Sequence, residues 1–230
     1  MDIYKPQILD FETEDQFLAR VETYLIDKII DTNAEKGAVR LGLSFGKACS
    51  KIYKKLPQNS GIPWQRIFLY QTDEIIGKKS LQENIKKLFG PDFLAEIGEL
   101  NFFNLNYPPD MIVKDYVDYL ENLDEVFFDI TILELRPDGS FAGIFPNGSH
   151  LKDLKKPVLK VATPSNHPEK EMLTLNIESI LNSDEIILIN YGIKNQSNLY
   201  ELLEGQKPAS QFPAKFLLAH PRLKVFQFVE

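Results

Sequence analysis

The apolar positions change period along this chain, and the changes mark out alternating helices and strands. From Thr13 to Ile30, Phe17, Leu18, Val21, Tyr24, Leu25 and Ile29 recur at helical spacing, and Thr13 with Gln16 forms a capping box. Lys36-Gly37 ends this region, and Ala38 to Leu43 reads as a short strand. Ser44-Phe45-Gly46 then leads into a second helix carrying Ala48, Ile52, Tyr53 and Leu56. The pattern repeats with a strand from Arg66 to Tyr70 and a helix from Leu81 to Phe89. A further helix is predicted to begin near Pro109, with Ile112, Tyr116, Tyr119 and Leu120 on one face.

The second half begins with the long apolar strand Phe127 to Leu135, turned by Asp138-Gly139. Pro157 to Ala162 reads as a strand near a sheet edge, where proline is tolerated. Asn176 to Leu181 is a helix, and Glu185 to Asn190 is the strongest strand in the chain. Short helices are expected at Leu199 to Leu203 and Ala214 to Leu218, and a last strand at Leu223 to Val229. Strands alternating with helices predict an α/β fold, a three-layer αβα sandwich around a mainly parallel sheet. No repeat, low-complexity tract or linker divides the chain, so residues 1–230 are read as one domain.

Such a sheet places ligands outside the carboxyl ends of its strands. Here four strands are each followed by polar or glycine-containing turns: Ser44, Gly46 and Lys47; Asp73 and Glu74; Asp138, Gly139 and Ser140; Gly192 and Lys194. If the strands are parallel, these residues meet on one rim. Ser44 to Lys47 opens a helix, whose free N–H groups favour an anion, although the spacing is not that of a Walker loop. Lys47 and Lys194 supply positive charge for a phosphate, and Asp73, Glu74 and Asp138 are candidates to bind hydroxyls or move protons.

Charge narrows the choice of partner. With 26 Lys and Arg against 33 Asp and Glu the net charge is −7, and no basic tract is present. Nucleic acid and anionic membrane are therefore poor partners, and an anionic substrate needs a local positive patch. The single cysteine, Cys49, fits a reducing compartment. No signal peptide or apolar run of membrane-spanning length is visible, so a cytoplasmic location is expected. His150, His167 and His220 lie in loops, with no metal-ligand spacing, and no metal or cofactor is expected. His150 is the one histidine that a loop movement would bring towards Ser140.

The order of motifs resembles the 6-phosphogluconolactonases, within the wider sugar-phosphate group that includes glucosamine-6-phosphate deaminases. Asp129 to Ser149, DITILELRPDGSFAGIFPNGS, is similar to that family's strand, Asp-Gly-His turn and Leu-Phe-Pro-Gly stretch. Ile62 to Ile67 with Thr72-Asp73-Glu74 resembles the segment leading to Gly-Asp-Glu-Arg, and Glu83-Asn84 stands at the family's Ser-Asn. His167 to Lys170 with Leu173-Thr174-Leu175 is similar to Pro-Pro-Glu-Arg and Leu-Thr-Leu, and Gly192-Ile193-Lys194 to the glycine and phosphate-binding lysine. Val225 to Val229 resembles the family's last strand.

The resemblance implies a Rossmann-like sugar-phosphate isomerase/lactonase fold and hydrolysis of 6-phosphogluconolactone to 6-phosphogluconate in the pentose phosphate pathway. It implies a sugar phosphate as ligand, Ser44, Gly46, Lys47, Glu74, Lys170 and Lys194 as binding residues, and Asp73, Asp138 and Ser140 as catalytic positions. Three positions depart from the pattern. Ser140 replaces the catalytic histidine, Ile75 the arginine of Asp-Glu-Arg, and Phe45-Gly46-Lys47-Ala48 the Gly-Gly-Ser-Thr phosphate loop. A serine hydroxyl cannot hold a proton near neutral pH without a base of its own, so the expected activity is weakened. A non-catalytic sugar-phosphate binding homologue is the alternative, and an amino-sugar-phosphate isomerase or deaminase a further one. Asp73 to Gly77 leans to the deaminase form, and Ile144-Phe145-Pro146 to the lactonase.

Overall fold

The computed structural model describes residues 2–76, 81–93, 97, 100–103, 105, 127–165, 167 and 170–229. Seven strands form one sheet: β1 (Gln7–Asp10), β2 (Val39–Leu43), β3 (Ile67–Gln71), β5 (Asn101–Phe103), β6 (Phe128–Leu135), β9 (Ser183–Tyr191) and β10 (Leu223–Phe228). Their order is β1-β10-β9-β6-β2-β3-β5, and every neighbouring pair is parallel. A second, antiparallel sheet joins β4 (Asp73–Ile75), β8 (Glu171–Leu175) and β7 (Val158–Ala162) in the order β4-β8-β7.

Side-chain alternation along the central strands feeds two cores. Ile187 and Ile189 of β9, with Ile130 and Ile132 of β6, pack with α1 (Glu14–Lys36), α2 (Lys47–Tyr53) and α3 (Leu81–Phe89). Ile186 and Leu188, with Leu133 and Leu135, face Ile177 and Ile180 of α4 (Ile177–Leu181), Leu202 of α5 (Asn198–Leu203), and Leu217. Both faces of the sheet are thus covered, which a parallel sheet requires.

The long helix α1 forms as its pattern predicts. The Thr13 hydroxyl accepts the Gln16 N–H, and Gly37, at φ +77°, ends the helix in the left-handed conformation. Other elements differ from the sequence reading. Asp73 and Glu74, expected in a turn, form β4 of the second sheet. The strand expected at Pro157 to Ala162 lies on an edge, but the edge is that of the antiparallel sheet. The helix expected at Ala214 to Leu218 is a run of tighter three-residue turns over Pro213–Ala219. Strands β1, β5 and β8 were not anticipated. The helix predicted near Pro109 lies outside the described residues.

Thr72 joins the two sheets. Its N–H donates to the Leu43 carbonyl of β2 at 3.0 Å, and its carbonyl accepts the Leu175 N–H of β8 at 2.9 Å. Gly139 is held as tightly in the turn after β6. It has φ +81°, and a Cβ there would come within 2.4 Å of the Phe212 ring. Gly139→Ala combines a left-handed conformation costing about 1–2 kcal/mol with overpacking of about 1–3 kcal/mol. A loss of roughly 2–5 kcal/mol is expected, read as a lowered urea midpoint at unchanged slope.

Candidate active site

Because β2, β3, β6 and β9 run in parallel, their carboxyl ends share one edge of the sheet. A cleft of about 510 Å³ opens at this edge, with Lys47, Lys51, Glu134, Arg136, Tyr191 and Lys194 among its walls. Gly192, at φ +90°, turns the chain out of β9 towards Lys194. The turn is pinned by Asn195, whose Nδ2 donates to the Leu135 carbonyl at 2.7 Å, and by Asn198, whose Nδ2 donates to the Arg136 carbonyl at 3.0 Å. Lys47 and Lys194 are exposed on the walls. Lys51 is engaged with Glu14, and its Nζ donates to the Tyr191 hydroxyl at 2.9 Å. That contact with Glu14 raises the Lys51 pKa and lowers the Glu14 pKa.

The start of α2 differs from the sequence expectation. Its N–H groups are taken by the chain's own Glu134. One carboxylate oxygen accepts the Lys47 N–H at 3.0 Å, and the other accepts those of Ala48 and Cys49 at 2.8 and 2.9 Å. Gly46 precedes this contact, and Ser44, fully buried, accepts the Glu134 N–H through Oγ at 3.1 Å. Ser44 and Gly46 therefore build the support of Glu134, and only the side chain of Lys47 reaches the cleft wall.

Asp73 is fully buried. Its Oδ1 accepts the Thr72 hydroxyl at 3.2 Å, and its Oδ2 makes no hydrogen bond among the described residues. Arg136 brings Nη2 to 3.9 Å from that oxygen, while its buried Nη1 has no hydrogen-bond partner among the described residues. Burial raises the Asp73 pKa, and the Arg136 guanidinium opposes the rise. Glu74 is likewise raised by burial, against a 2.7 Å hydrogen bond from Gln71 Nε2 and one from the Ile75 N–H. An arginine does stand at Asp73, but it comes from the end of β6 rather than from position 75.

The remaining candidates fall elsewhere. Asp138 is exposed, and its Oδ1 accepts both the N–H and the hydroxyl of Ser140, at 3.0 and 2.6 Å. Ser140 is itself fully buried, so this pair secures the turn instead of presenting a hydroxyl to the cleft. Lys170 is exposed just before β8 and is not among the cleft walls. His150 is fixed by its Nε2, which accepts the Phe145 N–H at 3.1 Å, and burial lowers its pKa. The ring of His220 bonds the Ser183 carbonyl at 2.7 Å and accepts the Arg222 N–H. Among the described residues no cluster of His, Cys, Asp and Glu could hold a metal ion. No helix of the described chain is long and apolar enough to cross a membrane.

The sequence profile of the glucosamine-6-phosphate isomerases/6-phosphogluconolactonase family matches residues 12–225. The chain belongs to this family. A 6-phosphogluconolactonase of Thermotoga maritima is 23% identical over 208 aligned positions, spanning 89% of this chain and 90% of that protein. The 6-phosphogluconolactonase structure from Trypanosoma brucei superposes with a TM-score of 0.78 at 17% identity, covering 97% of this chain and 96% of that one. A monomeric glucosamine-6-phosphate deaminase gives 0.76 at 22% identity, with 95% of each chain covered. The glucosamine-6-phosphate isomerase/6-phosphogluconolactonase fold therefore accounts for the parallel sheet. Two residues at the carboxyl edge of that sheet, Glu134 and Arg136, escaped the sequence reading. The signal for Glu134 was its charge near the end of the apolar run FFDITILEL, which a buried strand carries only with a partner, and Arg136 follows directly after that run.

The pKa of Asp73 gives a test of this geometry. A carboxyl raised on folding binds its proton more tightly in the native state, so its contribution to stability falls as pH rises from the unfolded value of about 3.9 to the raised native one. Above that window the loss is complete. Asp73→Asn removes this dependence. The stability of the variant relative to the wild type should therefore climb across the window and level off above it, measured by urea unfolding from pH 3.5 to 8. A constant difference would show that Asp73 titrates alike in both states.

Proposed function

We propose that this protein hydrolyses the ester of 6-phosphogluconolactone to 6-phosphogluconate, more slowly than a site carrying a histidine base. The observation that carries the reading is the convergence of Lys47, Arg136 and Lys194 on one cleft beside a buried carboxylate of raised pKa, Asp73. The cations form a local positive patch on a chain of net charge −7, which suits a phosphorylated ligand. The family to which the chain belongs and the 6-phosphogluconolactonases it is similar to support the same substrate.

In this reading the phosphate is held by the side chains of Lys194 and Lys47, and Arg136 orients Asp73. Asp73 lies buried behind Arg136, and in this reading ligand binding opens its Oδ2, which has no hydrogen-bond partner among the described residues, to accept a proton from the water that attacks the lactone carbonyl; its raised pKa moves it towards the range where a base works near neutrality. The ring C–O bond then breaks, and the alkoxide leaving group takes that proton back from Asp73 to become the hydroxyl of the open acid. Asp138 and Ser140 maintain the turn after β6. Glu74 lies next to Asp73 in the same short strand, and the Asp73 charge adds to the rise in its pKa. The whole chain, 1–230, is taken as the functional unit.

A second reading has its own support. Ser140 is buried against Asp138, and His150 is committed to Phe145, so no imidazole is available at the turn. A sugar-phosphate binding protein without turnover fits these contacts.

Lactone hydrolysis above the spontaneous rate, measured on fresh 6-phosphogluconolactone, tests the choice. Asp73→Asn is expected to lower kcat by roughly 10²–10⁴-fold, the range for a general base. Lys194→Ala is expected to weaken 6-phosphogluconate binding by about 10- to 150-fold, the loss of one hydrogen bond to a charged group. Binding without any turnover selects the second reading. Equal affinity of wild type and Lys194→Ala in calorimetric titration removes Lys194 from the site.

A further inference from the structure

The cleft contains a fixed anion of its own. Glu134 is held from two directions: its carboxylate accepts three backbone N–H groups of residues 47–49, and its own N–H donates to Ser44 Oγ. The fit is close enough that a Cβ at Gly46 would lie 2.1 Å from Glu134 Oε2. Glu134 is also among the residues that line the cleft, together with Lys47, Arg136 and Lys194.

We propose that Glu134 is the specificity-determining residue of this cleft, a built-in anion that weakens the binding of phosphorylated ligands relative to unphosphorylated ones. The proposal rests on the sugar-phosphate reading of the cleft and deepens it. Hydrogen bonds from neutral amides fix the carboxylate in place but leave its net charge. A ligand phosphate therefore meets a negative charge among the cations of the cleft, and the N–H groups at the start of α2 are already taken. For unit charges about 6 Å apart, between the dielectric limits of a protein surface and water, repulsion amounts to roughly 3- to 100-fold in affinity. Gluconate, which has the same carbon chain without the phosphate, escapes most of it.

Glu134→Gln keeps one acceptor oxygen for the amides and removes the charge. In calorimetric titration the variant should bind 6-phosphogluconate roughly 3- to 100-fold more tightly than the wild type, with a smaller gain for gluconate. Unchanged or weaker binding of 6-phosphogluconate by a variant whose far-ultraviolet circular dichroism and melting show it folded would overturn the proposal, as would an equal gain for both ligands. A second measurement needs no substitution. In amide NMR of the wild-type protein, 6-phosphogluconate should shift the signals around Lys194, Arg136 and Lys47 and leave the amides of Ala48 and Cys49 in place. Largest shifts at those two amides would mean that the ligand displaces Glu134, and the proposal fails. Wild-type turnover of the lactone with equal affinities in both proteins removes this inference and leaves the proposed function standing. Absence of both turnover and binding in both proteins removes the two together.

Discussion

Seven strands running in one direction impose the constraint on which the rest of the molecule depends. A parallel pair cannot be closed by a tight turn, so the chain must cross back over a face of the sheet between successive strands. Every crossing begins at the same edge. Residues far apart in sequence, Lys47, Asp73, Arg136 and Lys194, are brought to that edge by topology before any side chain interacts. The crossings also cover both faces, which is why Ile187 and Ile189 point to one core and Ile186 and Leu188 to the other.

At that edge the charges are arranged in two opposed arrangements. Glu134 brings a negative charge to neutral backbone donors, and Arg136, two residues on, brings a positive charge to a buried acid. Burial of Asp73 and Glu74 side by side is unfavourable to both carboxylates, and each raises its pKa. Arg136 reduces the cost for Asp73, while Gln71 and the Ile75 N–H do so for Glu74. Polar groups of this kind are kept where they are by the strands around them, and the catalytic reading depends on that rigidity.

Much of the fold was legible in the sequence because long, strongly periodic segments carry their own evidence. Helix α1 and strands β6, β9 and β10 are such segments, with caps or apolar runs that leave little choice. The misses were short. Strand β4 has three residues and exists only because β8 pairs with it, and β8 is remote in sequence. Strands β1 and β5, of four and three residues, sit at the two ends of the large sheet. The location of the candidate site was readable from the polar turns after the strands, but the roles within it were not. Ser140 and Asp138 look like a presented pair in sequence and form a closed turn in space. Glu134 and Arg136 read as ordinary charges at the end of a strand, and only their partners, contributed by β4 and α2, give them a place. A contact between distant segments has no local signature, so this part of the chemistry had to come from three dimensions.

Thr72 gives the architecture a property beyond geometry. One residue is shared by both sheets, its N–H serving the parallel one and its carbonyl the antiparallel one. The chain has no slack there, and the next residue is Asp73. The two sheets cannot separate without breaking that shared rivet, so loosening of either one disturbs the acid beside it. The position of the carboxylate is thereby tied to both sheets at once, through the backbone of the residue before it.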